Sequence, residues 1–273
     1  MSIPDRLLNI PRPVIFILIG LAVFVPLLFK FLLPLKVLKP VKDVYDFIES
    51  LPEGTPVILS FDYSPDVLPE CYPMSLALAK HLARKKLRIY IMTLYPAGAG
   101  FALDVYNKIL KEFNLVERKD IVFVGYFPSI AATILGIGED IRNVFKTDYF
   151  GVPFDEIEAF RDVKNYEDIK LVITISGAAI PESWMVYANG RYGANVAAGV
   201  TAVMAAQLYP YYRSKQFIGL IGGMRGAAEY EKLLNAHNLA TKGMNSISLA
   251  NFVMVLLVIL GNISFFIKRR RKR

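Results

Sequence analysis

The sequence predicts a three-layer α/β fold, a doubly wound and mainly parallel five-stranded sheet, with a transmembrane helix before it and another after it. Three observations carry that expectation. Five short runs rich in β-branched and aromatic residues occupy 56–61, 88–94, 121–126, 170–175 and 216–221. They are almost continuously apolar, as strands covered on both faces must be. Each is followed by residues able to make or begin a helix, the alternation that winds a parallel sheet of Rossmann-like or flavodoxin-like type. Finally, residues 14–33 and 247–267 are long apolar stretches, and the second runs directly into the six cations of 268–273. About 20 apolar residues rising 1.5 Å each match a hydrocarbon layer of roughly 30 Å.

Composition fits one globular domain with anchors. Hydrophobic residues make up 54% of the 273, and the mean hydropathy is +0.39. The net charge of +8 is misleading, because the terminal KRRRKR supplies six of the eight charges. Between 41 and 245 there are 21 Lys and Arg against 23 Asp and Glu. That near-balance excludes nucleic acid as a partner of the domain, since no basic field exists to condense onto a phosphate backbone. One cysteine, Cys71, excludes an internal disulfide, and with only His81 and His237 it cannot form a zinc site without carboxylates. No metal site is expected, and no motif specifies a cofactor.

In chain order, residues 1–13 form an N-terminal segment and 14–33 a signal anchor, kinked at Pro26 and with Lys30 able to snorkel to the interface. Residues 41–51 carry Val41, Val44, Tyr45, Ile48 and Leu51 at helical spacing. Helices of crossover length follow at 73–86 and 101–113, with lysines at their negative ends. The connection from 127 to 168 is far longer than the usual few residues and marks a site wall or partner surface. Residues 194–208, rich in Ala and Gly, read either as a buried crossover helix or as a helix–helix contact between copies. The globular domain is bounded at 41–245, the second span at 247–267, and the basic tail at 268–273.

Two spans put both termini on one side of the cell membrane. Arg6 and Arg12 against Lys36, Lys39 and Lys42 argue for a cytoplasmic domain, whereas the terminal cations argue for a cytoplasmic tail. Six consecutive cations are harder to move across than three scattered lysines beside a long domain. The expectation is therefore both termini cytoplasmic and the domain extracytoplasmic.

Open parallel sheets bind ligands beyond the carboxyl ends of their strands. That position selects Asp62 after the first run, Ser176 and Gly177 after the fourth, and Gly222, Gly223, Arg225 and Gly226 after the fifth. Glycines in that last turn would let the backbone approach an anion, with Arg225 beside the N–H groups of the following helix. The same turn equally suits tight packing with no ligand, and Arg225 is spaced to pair with Glu229. Asp62 could hold a metal, a ribose or a substrate hydroxyl, joined by Asp148 or Glu182, or it could merely cap a loop. No G-x-S-x-G, Walker lysine or H-E-x-x-H pattern occurs. His81 is expected at the surface or edge of its helix, and Trp184 at the crevice edge. Two functions follow: a membrane-anchored binding or scaffold module of a larger assembly, or a membrane-bound enzyme using Asp62 and the glycine turn. The implied partners are the lipid bilayer, a second copy or a membrane-complex protein, and a small anionic ligand.

Overall fold

The computed structural model describes residues 11–29 and 34–271. It separates into two compact units, one comprising Met1–Leu35 and Thr241–Arg273, the other Lys36–Ala240.

In the first unit, helix α1 spans Arg12–Leu28, carrying Pro26 in its last turn. Seventeen residues rise only about 25 Å, short of a hydrocarbon layer, so a spanning N-terminal helix over 14–33 is not shown. Lys30, Arg6 and residues 30–33 lie outside the described residues. The C-terminal helix runs from Leu239 to Arg271, beginning well before the expected residue 247. Its stretch Leu239–Ile267 is long and apolar enough to cross a membrane. Phe252, Val255 and Val258 are more than half exposed on it, which water penalises and lipid does not.

The second unit opens with α2, Lys39–Ser50, which buries Val41, Val44 and Ile48. Strands β1 (Pro56–Asp62), β2 (Arg88–Thr93) and β3 (Ile121–Tyr126) alternate with α3 (Leu68–Arg84) and α4 (Gly98–Phe113). Helix α5, Ile130–Glu139, then starts the long crossover to β4, Leu171–Ser176. A one-turn helix at Ile180–Ser183 and a π-helix at Trp184–Asn189 lead to β5, Val196–Val200. Helix α6 (Ala202–Arg213), strand β6 (Gly219–Gly222) and helix α7 (Gly223–Leu233) complete the unit, and α8 is the helix Leu239–Arg271.

All five expected runs are parallel strands, but the sheet has six, in the order β3-β2-β1-β4-β5-β6. The sixth is β5, cut from the stretch expected to be helical at 194–208. Its sequence, VAAGV, has high local helix preference in its alanines, and tertiary packing overrides that preference. Gly199 faces α3 so closely that a Cβ there would meet Met74 Sδ at 2.7 Å. Thr201 then caps α6, accepting the Met204 N–H at 3.5 Å. Only Leu208 of α6 is buried, so the expected buried crossover helix is in fact a buried strand followed by an exposed helix.

The long connection after β3 is no loose wall. Ile134, Ile137, Phe145, Phe154 and Phe160 come from it into the core on the face that also takes Ile58, Tyr90 and Val172. Fully burying each such side chain contributes roughly 1.5–3 kcal/mol. Tyr149 donates its N–H to Phe123 O at 2.8 Å, covering the outer edge of β3.

Candidate functional site

In this strand order the connections depart in opposite directions from β1 and β4, which makes the gap between their carboxyl ends the switch point of the sheet. Asp62 and Ser176 are register partners across that gap. Asp62 is fully buried. Its Oδ1 accepts the Leu94 N–H at 2.7 Å and the Ser60 hydroxyl at 2.8 Å, and Oδ2 accepts the Thr174 hydroxyl at 2.9 Å. Burial pushes its carboxyl up to about 6, against these hydrogen bonds and the Trp184 indole, which favour the charged form. Trp184 is itself fully buried, and its Nε1–H has no hydrogen-bond partner of normal geometry. Trp184, expected at the crevice edge, is instead buried against the sealed Asp62 carboxylate.

The Ser176 hydroxyl lies 2.8 Å from Asp62 O and accepts the Ala178 N–H at 3.0 Å, so both of its roles are internal. At Gly177 a Cβ would meet the Val67 side chain at 2.8 Å. Val67 thus fills the space above the gap.

The glycine turn at the end of β6 forms a second locality, since β5 lies between β6 and β4. Three strand spacings of about 4.8 Å separate β1 from β6, roughly 14 Å. Gly223, at φ +62°, would place a Cβ 2.8 Å from both Ala202 Cβ and Glu70 Oε2, and Gly222 would meet Ala205 Cβ at 2.7 Å. Glu70 Oε2 accepts the Ala202 N–H at 2.8 Å. A carboxylate of the chain therefore occupies the anion position at the start of α6. Arg225 Nε donates to Glu229 Oε1 at 2.9 Å, and buried Glu229 also accepts the Leu38 N–H at 2.8 Å. A cavity of about 160 Å³ lies between α2, α6 and α7, lined by Leu38, Val41, Tyr209, Gly222, Arg225 and Gly226.

Of the remaining candidates, Asp148 is buried beside β3, where it accepts from Arg118 Nε at 2.7 Å and from the Phe150 and Val152 N–H groups at 2.9 Å. It caps a turn away from Asp62. Glu182 is half-buried, two residues before Trp184. Among the described residues no group of three His, Cys, Asp or Glu side chains is placed to hold a metal ion.

Several polar residues escaped the sequence reading. Ser60 and Thr174 carried a signal, since both interrupt apolar strands and Ser60 shares a face with Asp62. His81 had none. It is buried rather than at the surface or helix edge, with Nε2 2.9 Å from Glu49 Oε1 and Nδ1 2.6 Å from the Tyr230 hydroxyl. A carboxylate only accepts, so Nε2 carries the proton and Nδ1 accepts from Tyr230. Tyr45 stacks on the ring at 4.7 Å. Burial lowers the proton affinity of His81 despite Glu49. The cluster ties α2, α3 and α7 together. Cys71 is also sealed, its thiol pushed up to about 12 by burial.

No family model matches this sequence, and no curated protein does. Among solved structures, the C-terminal domain of a glycosyl transferase group 1 family protein (LpcC) from Francisella tularensis is similar at 14% identity, over 80% of this chain and 94% of that chain, with a TM-score of 0.34. The α/β assignment rests on the chain's own strand order.

Proposed function

We propose that the chain is a membrane-anchored α/β binding or scaffold module of a membrane-associated assembly. The observation that carries this reading is Glu70 on the Ala202 N–H, beside the space that Gly223 leaves open. A ligand phosphate would have to displace a carboxylate already hydrogen-bonded there. Around it the carboxyl edge exposes the uncharged Pro65, Tyr95, Tyr126, Ala178 and Val203 beside the charged Asp66 and Arg225, a mixed surface suited to a macromolecular contact. A photo-crosslinking amino acid at Val203 in intact membranes tests the reading: discrete protein adducts are expected, and labelling of lipid or water alone would oppose it.

The anchors and topology belong to the same proposal, with both termini cytoplasmic and the domain outside the cell membrane. A membrane-impermeant thiol reagent directed to Ala178→Cys should label intact cells. Labelling only after lysis would place the domain inside.

Asp62 favours a second reading, a membrane-bound enzyme. A carboxyl raised to about 6 at the switch point is suited to proton transfer. Its substrate would have an anionic or hydroxylated group. Asp62→Asn abolishing a measurable turnover while leaving the fold intact is the outcome this reading requires.

A further inference from the structure

Helix α6 lies on the sheet with a single buried residue, Leu208. Its outward side carries Val203, Ala206, Pro210 and Arg213 at the i, i+3, i+7 spacing of one helix face, flanked by exposed Tyr209 and Tyr211. No Asp, Glu, Lys or Arg occurs from 202 to 212. A helix facing water normally carries charge on that side, whereas a contact surface loses charge and keeps tyrosine.

The charges stand at the two ends of α6, and they are opposite. At its start, Glu70 accepts the Ala202 N–H through Oε2 and has no ion-pair partner among the described residues. At its end, Arg213 lies over the Tyr209 ring, 5.2 Å from the centroid, and exposed Lys215 follows. Neither cation has a carboxylate within ion-pair distance among the described residues. Each charge suits the dipole of its own helix end, yet stays unpaired. Twelve residues rise about 18 Å, too far for the two ends to meet within one chain.

We propose that α6 docks antiparallel against α6 of a second copy of this chain, about a two-fold axis level with Leu208. This names the partner in the scaffold reading and rests on it. In that pairing Ala206 of one copy faces Pro210 of the other, and Val203 faces Arg213. The basic end of each helix then reaches the Glu70 end of the other, and the two-fold makes both ion pairs from one surface patch. The bulkier half, Tyr209 to Arg213, covers the smaller half, Ala202 to Ala206. A parallel pairing would instead set like charges together. A bilayer fits this face less well, because helices that lie on lipid carry Lys and Arg along their polar side. One helix buries less than the roughly 800 Å² per partner of a standard interface. The pairing therefore depends on the effective concentration that a shared membrane gives.

Cys71 is buried, so introduced cysteines report alone. In intact membranes holding two differently tagged full-length copies, mild oxidation should join Ala206→Cys on one to Pro210→Cys on the other. Val203→Cys should not join to itself, since ten residues set the two thiols about 15 Å apart along the helices. Adding Arg213→Glu should lower the yield of joined chains about fivefold, as losing exposed ion pairs of up to about 1 kcal/mol requires. Arg213→Lys and, on α4, Lys111→Glu should keep the yield. No joined product, self-joining of Val203→Cys, or an unchanged yield with Arg213→Glu would overturn the pairing. Photo-crosslinked adducts at Val203 that contain only other proteins would overturn it too and leave the scaffold reading standing; adducts to lipid alone would remove both.

Discussion

Glu70 Oε2 accepts the backbone N–H of Ala202 at 2.8 Å, joining the start of α3 to the start of α6 over a sequence separation of 132 residues. The first turn of a helix has unsatisfied N–H groups, and here one finds its acceptor within the chain. Glu70→Ala should therefore lose about 1 kcal/mol of stability, the usual cost of a lost N-terminal cap. Chemical denaturation of the full chain in detergent reads the loss directly. A neutral substitution would mean that the carboxylate is not holding α6.

Gly223 sits in the same locality for two separable reasons. Its φ of +62° disfavours any side chain, and a Cβ would approach Ala202 and Glu70 to 2.8 Å. Gly223→Ala should cost roughly 2–4 kcal/mol, combining left-handed strain with overpacking. Gly100, where a Cβ meets nothing within 4 Å, is the control. Gly100→Ala should change stability by under about 1 kcal/mol.

These residues show where sequence reasoning reaches and where it stops. The five expected strands were legible because 56–61 and its counterparts are apolar on both faces over a strand's length. Strand β5 was not, because its alanines and Gly199 answer to Met74, which is more than 120 residues earlier. The position of Asp62 followed from the end of a strand, and the Arg225–Glu229 pair from helical spacing. That Asp62 would be sealed by Trp184, and the glycine turn occupied by Glu70, depends on contacts that no local pattern encodes.

Two buried groups give stability opposite dependences on pH. His81 has a lowered folded pKa, so the unfolded chain binds the proton first, and stability should fall as pH drops below about 6.5. Asp62 is raised from 3.8 to about 6, so its contribution is full below 3.8 and is lost as pH rises to 6. At pH 7 its ionisation costs about 3 kcal/mol on the scale of 1.36 kcal/mol per pKa unit. Asp62→Asn keeps acceptor and donor positions without the charge and should gain up to that amount at pH 7. In this variant the His81 decline between pH 7 and 5 should stand alone and steeper than in the parent. Denaturation midpoints measured from pH 4 to 8 in both proteins check the pair of signs.

The central claim is that the carboxyl edge of the sheet is filled by the chain's own groups and serves a macromolecular contact. The most direct measurement is the thermal midpoint of the full chain in detergent, at pH 5.5 and 7.5, against nucleotides, phosphosugars and divalent cations. A ligand at about 100 times its dissociation constant adds roughly 2.7 kcal/mol and raises the midpoint by several degrees. A flat profile is predicted for every compound. A saturable rise with any one of them, removed by Asp62→Asn or by Arg225→Ala, would contradict the account.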